Sequence, residues 1–334
     1  MRGVKRFLAY RILTYVLVLI VAFSINFLIP RLIPGSPIRS IISRLERRGQ
    51  RVGGQAVVQT YIHMFGLEGD LLTQYLNYLG QLFQGNLGIS ISWFPTPVQT
   101  LILRSLPWTI GLLLTATIVS WVAGNLLGGL IGWMGESKIT KIVFPIALVL
   151  STIPYYLLAI LLVFLFAFIF PIFPTGGGAS VDIIWQGFSL QYMLDILRHS
   201  ILPMLSIIIS SIGWWLLSMR AMMINVLEED YVMLAELKGL KRSTIFIKYG
   251  FRNALLPQVT GLAMSIGNIM GGALLTEVIF AYPGVGWLLY TAIANLDYPV
   301  IQGIVLLIIF SVCTAVLIID VLYPLIDPRI RLGE

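Results

Sequence analysis

"IVFPIALVLSTIPYYLLAILLVFLFAFIF", residues 142–170, contains no charged side chain. A helix needs about 20 apolar residues to cross the hydrocarbon core of a bilayer, because only internal hydrogen bonds can satisfy its backbone there. This run is longer than a straight crossing requires, and Pro154 lies inside it. The stretch therefore predicts a membrane span that is kinked at Pro154.

The composition of the whole chain agrees with a lipid environment. Hydrophobic residues make up 58% of the sequence, and its mean hydropathy is +0.91. A water-soluble fold of this length could not bury so much apolar surface, so the sequence predicts an integral membrane protein. Anionic headgroups and membrane orientation explain the net charge of +7 better than nucleic acid does. The single cysteine, Cys313, excludes an intramolecular disulfide and a cysteine metal cluster, and we expect it to pack.

Six segments are long and apolar enough to span a membrane. Their approximate bounds are 7–29, 105–133, 142–170, 201–219, 254–276 and 299–319. A cleaved signal peptide is the alternative for the first segment, but the run ends in prolines without a small-residue cleavage site. Pro107, Pro203 and Pro257 are expected in the first turns of their spans, where a missing N–H is tolerated.

The basic residues predict the orientation of these spans. With a cytoplasmic N-terminus, 14 of the 22 Lys and Arg face the cytoplasm, and the other eight face outward. Six of those eight lie between Arg31 and Arg51, in a loop too long to obey the positive-inside rule. Both termini are therefore expected on the cytoplasmic side.

The spans divide the chain into three parts. Residues 1–30 form the N-terminal tail and first span, residues 31–104 an extracytoplasmic loop, and residues 105–334 a transmembrane core with a cytoplasmic loop at 220–256. In the outer loop, one helical stripe predicts an amphipathic helix. Its members are Leu72, Tyr75, Leu76, Leu79, Leu82 and Phe83.

The cytoplasmic loop contains an unusual concentration of charge. "EEDYVMLAELKGLK", residues 228–241, has four acidic and two basic side chains, although only 11% of the chain is charged. Acidic residues at its start and Lys238 near its end suit a helix dipole, and Gly239 is placed to be the left-handed residue after the helix. Tyr231, Leu234 and Ala235 follow helical spacing, which predicts that one apolar face of this helix is buried.

Several segments resemble the dipeptide/oligopeptide permease family of ABC importers, specifically its first, B-type permease subunit. They occur in family order and cover nearly the whole chain. "DYVMLAELKGL" followed by "RNALLP" is similar to the family's EAA loop, although of its Glu-Ala-Ala and Gly positions only Ala235 and Gly239 match. The others are "LIPRLIPGSP", "FGLEGDLLTQYLNYLGQLFQGNLGISIS", "LPWTIGLLL", "TEVIFAYPGVGWLLYTAI", "DYPVIQG" and "YPLIDPRIRL".

The resemblance implies a mechanical role for residues 230–240. In such importers this helix, the coupling helix, docks on a cytoplasmic ATPase and transmits nucleotide-driven closure to the spans. The expected docking residues are Asp230, Tyr231, Ala235, Gly239 and Leu240. The family also implies a second homologous permease, two ATPase subunits that use ATP and magnesium, and an extracytoplasmic solute-binding protein, in the plasma membrane of a prokaryote.

The outer surface is then expected to receive the binding protein. Residues 281–287, "AYPGVGW", together with the amphipathic helix would form its rim. A basic turn could belong to the same docking surface, or it could be a solvated turn. That turn consists of Arg44, Arg47, Arg48 and Arg51.

No pattern for chemistry is found in the sequence. It lacks a G-x-x-x-x-G-K-[ST] phosphate loop, so this chain is not expected to bind or hydrolyse ATP itself. His63 and His199 form no recognisable metal or hydrolase motif and are expected in loops or at interfaces. Glu277 and Asp320 are expected as helix-end groups rather than proton relays. We therefore expect no catalytic residue, no metal and no cofactor in this chain.

Two kinds of residue in the spans suggest specific roles. Gly124, Gly128 and Gly132 in the second span, with Gly267 and Gly271 in the fifth, have the spacing that lets helices pack closely. The fifth span is also more polar than a lipid-facing helix would be. Its candidates for lining the translocation pathway are Ser265, Asn268 and Thr276.

The sequence thus predicts an all-α, six-span permease subunit of an ATP-driven, binding-protein-dependent importer that works by alternating access. Peptides are the expected cargo, with oligosaccharides or nickel as alternatives within the family. An ATP-independent channel or secondary transporter is the alternative from another class. The need for ATPase partners separates the two classes.

Overall fold

The computed structural model describes residues 2–32, 68–180, 182, 189–267, 269 and 273–326. Within these residues the chain is helical, and its only extended pairing is an isolated bridge between Ile89 and Pro97. Two π-helical segments occur, Phe164–Ile169 and Ile245–Phe251. The α-helices are α1 Arg2–Leu32, α2 Leu71–Phe83, α3 Val98–Trp133, α4 Lys138–Thr152, α5 Tyr155–Val163, α6 Leu190–Leu227, α7 Asp230–Leu237, α8 Arg242–Thr244, α9 Arg252–Gly267, α10 Leu274–Ile279, α11 Val285–Ala294 and α12 Tyr298–Ile326.

Several of these helices are long and apolar enough to cross a membrane. In the described residues four qualify alone, and a fifth crossing is possible if α4 and the Tyr155–Ile169 segment count as one span. The four are Ala9–Leu28 within α1, α3, α6 and Tyr298–Ile318 within α12. The predicted fifth span falls on α9 and α10, and residues 268 and 270–272 between them lie outside the described part. The prediction of an all-helical membrane protein is confirmed at this level.

The expected kink at Pro154 is confirmed as a break in the span. Helix α4 ends at Thr152, α5 begins at Tyr155, and the two segments are bent by 94°. Proline disfavours helical geometry in the residue before it, and Ile153 is accordingly extended, with ψ at 118°. Ser210 of α6 donates its hydroxyl to the Ile153 carbonyl at 2.8 Å, which satisfies a backbone group released by the break.

The expectation that three prolines occupy first turns is wrong. Pro107 and Pro203 lie well inside α3 and α6. Pro257 lies inside α9, which itself continues the π-helical segment before it. Hydropathy marks only the apolar part of a span, whereas these helices begin earlier; α3, for example, includes Arg104 ahead of its apolar run.

The chain forms two compact units: residues 1–107 with 285–334, and residues 108–284. In the first unit, α1 and α12 are joined by polar contacts. The Gln302 side-chain amide donates to the Asn26 carbonyl at 2.8 Å, and the Asn26 amide donates to the Gln302 carbonyl at 3.2 Å. An apolar core packs beside them from Val98, Ile102, Val285, Leu288, Ala292, Val300 and Ile304.

The predicted amphipathic helix is confirmed as α2. Asp70 caps its N-terminus by accepting from the Thr73 backbone and hydroxyl, and these hydrogen bonds lower the pKa of Asp70. One side of the helix contacts α1, where the Tyr75 hydroxyl bonds Ser24 at 2.6 Å. The predicted stripe divides between this contact and an exposed edge that includes Phe83.

In the second unit, the predicted glycine stripe of α3 packs against α6. A Cβ on Gly124 would lie 2.5 Å from the Trp215 Cβ, and one on Gly128 would lie 2.4 Å from the Leu216 carbonyl oxygen. The close-packing role predicted for these residues is therefore confirmed. Gly271 of the second predicted stripe lies outside the described residues.

Candidate functional site

Helix α7 is the predicted coupling helix, and its ends are as the sequence indicated. Glu229 is extended at the N-terminus, and Asp230 lies in the first turn. Gly239 has φ +69°, which is the left-handed conformation that glycine adopts most easily. The Gly239 N–H donates to Glu236 at 2.8 Å, and the Leu240 N–H donates to Ala235 at 3.3 Å. This pair of bonds is a Schellman cap, so the helix has a defined and rigid end.

The buried face of α7 differs from the predicted one. Val232 and Ala235 are each 2% exposed and pack on Ile245, with Trp133 and Leu227 around them. Leu234 is 54% exposed, and Tyr231 is exposed as well. Only Ala235 of the predicted apolar face is buried. The turn after Leu227 fixes how α7 rotates against the spans, and helical spacing alone does not reveal that rotation.

The opposite face of α7 is apolar yet open to its surroundings. Leu237 is 77% exposed, and Tyr231, Met233, Leu234 and Leu240 are exposed beside it. Four exposed carboxylates flank this face, on Glu228, Glu229, Asp230 and Glu236. Of the expected docking residues, Asp230, Tyr231, Gly239 and Leu240 are exposed, whereas buried Ala235 contributes to the seating of α7 on its own chain. We call the exposed side chains of Tyr231, Met233, Leu234, Leu237 and Leu240 the α7 outer face.

The residues on which α7 packs belong to the long helices or to their ends, and we call them the seat of α7. Trp133, at the end of α3, packs beside the buried face of α7 and lies 5.6 Å from the Phe246 ring, measured between centroids. The Asn253 side-chain amide at the start of α9 donates to the Tyr231 hydroxyl at 3.1 Å. Helix α7 is therefore in direct contact with both α3 and α9.

The three pathway candidates have different positions. Ser265 is half-buried in α9, and its hydroxyl donates to the Gly261 carbonyl at 3.0 Å. Thr276 in α10 is fully buried, and its hydroxyl has no hydrogen-bond partner. Asn268 lies outside the described residues. The role of all three in the pathway stays a prediction.

Sequence reasoning missed the burial of Glu277. Expected as a helix-end group, it is 0% exposed in α10 and accepts a hydrogen bond from the Thr109 hydroxyl at 2.7 Å. A Cβ on Gly284 would lie 2.3 Å from a Glu277 carboxylate oxygen, so this glycine makes room for the carboxylate. Both residues occur in "TEVIFAYPG", residues 276–284, but their spacing did not indicate that the chain turns back and brings Gly284 against Glu277.

Tyr282 lies in the same turn and is also buried. Its hydroxyl bonds Ser200 of α6 at 3.0 Å, and its ring lies 5.6 Å from the ring of Trp108, measured between centroids. Burial raises the pKa of Tyr282; the bond from Ser200 works against that rise, and the nearby carboxylate of Glu277 adds to it. Residues 281–284 of the expected outer rim thus include a buried anchor.

A second missed carboxylate organises the segment before α3 in the first unit. Asp297 is 0% exposed and precedes α12. It accepts from the Ser90 hydroxyl at 2.5 Å, the Ile91 N–H at 3.1 Å and the Ser92 N–H at 2.7 Å. "DYPVIQG" offered an acid before a helix but no indication of this distant partner. The basic turn predicted as part of the binding-protein docking surface, residues 44–51, lies outside the described part.

The described residues contain no group of three or more His, Cys, Asp and Glu that could hold a metal ion. His199, expected in a loop or at an interface, is buried in α6, where its Nδ1 lies 2.9 Å from the Asp195 carbonyl oxygen. Asp195 in turn accepts from the Ser180 hydroxyl at 2.9 Å. These contacts tie a loop to α6 and suit a structural role.

Comparison with known proteins gives the family. Residues 124–332 match the family of binding-protein-dependent transport system inner membrane components. The chain is 33% identical to the di/tripeptide transport system permease protein DppB of Pseudomonas aeruginosa, over 92% of this chain and 93% of the relative. It is 31% identical to the oligopeptide transport system permease protein AppB of Bacillus subtilis, over 92% and 93%. The probable D,D-dipeptide transport system permease protein DdpB of Escherichia coli is 31% identical, over 95% of each chain.

These matches confirm the family resemblance found in the sequence. They also agree with the apolar helices, which suit a multi-pass protein of the inner membrane. The function of the family is transport and not catalysis, which fits a site built from a capped helix with an exposed apolar face and from buried structural carboxylates. The chain belongs to the family of binding-protein-dependent transport system inner membrane components, as a permease subunit of an ABC transport system.

Proposed function

We propose that this chain is a translocating subunit of an ATP-driven importer of dipeptides or oligopeptides. The names of its relatives support peptide cargo, since three of them at 31–33% identity are permeases for di/tripeptides, oligopeptides or D,D-dipeptides. Oligosaccharides and nickel remain the alternatives within the family. The observation that carries ATP-driven coupling is the α7 outer face, because a capped helix with exposed apolar side chains and an acidic rim fits a soluble protein partner.

The proposed assembly has this chain beside a second homologous permease. Two ATPase subunits would bind ATP and magnesium on the cytoplasmic side, and an extracytoplasmic binding protein would deliver the solute. The proposed topology has six spans with both termini inside, which the distribution of Lys and Arg supports. In it, α9 and α10 together supply the fifth crossing.

In the proposed mechanism, nucleotide binding closes the ATPases and moves α7. Because Val232 and Ala235 are packed into the chain, the helix moves as one body with its seat. Trp133 and Asn253 would carry the displacement into α3 and α9. The spans would then open outward to accept the solute, and ATP hydrolysis would restore the inward-facing state.

The first test is purification of this chain in mild detergent from its native membrane, with its partners identified by mass spectrometry. We expect two ATPases, a second permease and a binding protein. Recovery of the chain alone from well-solubilised membranes would contradict ATP-driven import and favour a channel or secondary transporter. The recovered binding protein could then be tested for affinity to peptides, oligosaccharides and nickel.

A variant separates docking from assembly in general. Leu237→Arg places a charge at the centre of the α7 outer face, and we expect it to lower ATPase recovery by roughly tenfold or more, as loss of an apolar interface anchor does. Phe83→Arg is the matched control, because it changes a similarly exposed apolar side chain on α2. Gly239→Arg is less decisive, since φ +69° means that any side chain there strains the cap. Unchanged ATPase recovery with Leu237→Arg would rule out docking through this face.

A further inference from the structure

Arg220 lies at one end of an uncharged stretch of α6. From Ser200 to Met219 the helix has no charged side chain. At 1.5 Å per residue this stretch is about 30 Å long, which matches the hydrocarbon core of a bilayer. Arg198 stands near its other end. Arg220 is therefore placed where the hydrocarbon ends and lipid phosphates begin.

Among the residues that the structure describes, no acidic side chain pairs with the guanidinium of Arg220. Its central carbon lies 4.6 Å from the centroid of the Phe144 ring on α4, so the cation stacks on an aromatic face. The Nε atom is buried and has no hydrogen-bond partner. Neither α4 nor the part of α6 after Ser200 contains an acidic residue. By contrast, Arg198 donates to the Ile172 carbonyl at 2.8 Å.

The surroundings of Arg220 combine positive charge with apolar surface. Lys141 precedes Phe144 by three residues on α4, so the two side chains are neighbours on one helix face, and Lys141 is exposed. Ile142 and Ile146 of the same helix are exposed apolar residues. An anion at this position would meet two cations, and an attached hydrocarbon chain would meet the side chains that already face lipid.

We propose that Arg220 and Lys141 bind the phosphate of an anionic phospholipid, with phosphatidylglycerol as the type, at the α4–α6 surface. A guanidinium presents paired N–H donors that suit phosphate oxygens, and a bound phosphate would accept from the terminal N–H groups of Arg220. A zwitterionic lipid brings its own cation close to the two basic side chains, so the site favours a headgroup with net negative charge. The lipid then acts as the missing counter-ion between α4 and α6.

Native mass spectrometry of the full-length chain, with phosphatidylglycerol added in nonionic detergent, tests the proposal. We expect the wild type to retain one more bound lipid molecule per chain when phosphatidylglycerol is added than when phosphatidylcholine is added in its place. Arg220→Gln should weaken that retention roughly tenfold, as loss of a charged hydrogen-bond donor does, while Arg220→Lys keeps part of it. Lys141→Gln gives a smaller loss in the same direction.

The control is Arg198→Gln, which removes the same charge from the same helix about 33 Å away along its axis. Lipid retention that is equal in Arg220→Gln and wild type would overturn the proposal, as would an equal loss with Arg198→Gln. Displacement of the lipid by millimolar inorganic phosphate would also overturn it, because a site for free phosphate does not need the apolar face. Size-exclusion profiles check that the variants are folded. If Arg220→Gln is misfolded, the loss of lipid retention in Lys141→Gln tests the proposal instead, and unchanged retention in that variant would overturn it.

Discussion

Replacing Gly128 with alanine tests the packing of α3 on α6. The added Cβ would lie 2.4 Å from the Leu216 carbonyl oxygen and 2.9 Å from the Met219 Cβ, whereas ordinary contacts begin near 3.4 Å. The first of these atoms is backbone and cannot rotate away, so the helices must separate by up to about 1 Å. Overpacking of this kind costs about 1–3 kcal/mol. At about 2.1 cal/mol/K of unfolding entropy per residue, we expect this chain of 334 residues to lose roughly 1.5–4 °C in the midpoint of thermal unfolding.

Gly111→Ala is the matched control on the same helix. No atom lies within 4 Å of the Cβ it would add. Alanine is a better helix former than glycine by about 0.5–1 kcal/mol, so this variant should be neutral or slightly more stable. The measurement is the fraction of purified chain that stays monodisperse by size-exclusion chromatography after heating in steps. Equal midpoints for Gly128→Ala and Gly111→Ala would refute the close approach of α3 and α6.

Two further predictions concern the buried polar groups. Asp297→Asn replaces a charged acceptor by an amide that turns an N–H toward the donors of residues 90–92. Hydrogen bonds to a charged acceptor contribute about 1.5–3 kcal/mol each, so the Ile91 and Ser92 amides should exchange with deuterium at least tenfold faster. Unchanged exchange would show that Asp297 does not anchor this segment. The raised pKa of Tyr282 means that folding holds its phenol protonated, so stability should fall as pH rises past the ordinary value of 10.0. The drop in thermal midpoint between about pH 8 and pH 10.5 should be smaller for Tyr282→Phe than for the wild type, because the variant has no phenol to ionise. An equal drop in both proteins would contradict this prediction.

Much of the architecture could be predicted from the sequence because its signals are local. Charge-free runs marked most of the apolar helices, and Pro154 marked the break. The caps of α7 were equally readable, since the left-handed glycine and the acidic first turn act within a few residues. Helix starts were less accurate, as Pro107 shows, because a helix can continue into polar residues that hydropathy does not count.

The candidate site was predicted in outline and not in its contacts. The sequence indicated that α7 has one buried face, but it did not show that this face carries Val232 in place of Leu234. It gave Glu277 as a helix-end acid without revealing its burial, and it did not single out Asp297. Each of these outcomes depends on a partner far away in the chain, such as Ser90 for Asp297.

The sequence by itself determined that this is a membrane protein, where most of its apolar helices lie, and where α7 begins and ends. Composition and capping act over one or two turns, so they are legible in the order of residues. Only the tertiary structure decided which side of α7 is free and which carboxylates serve as internal anchors. It also showed that, in the described part of the chain, no acidic side chain pairs with Arg220. Burial and charge pairing are properties of contacts between distant segments, and the chain acquires them only when it is folded.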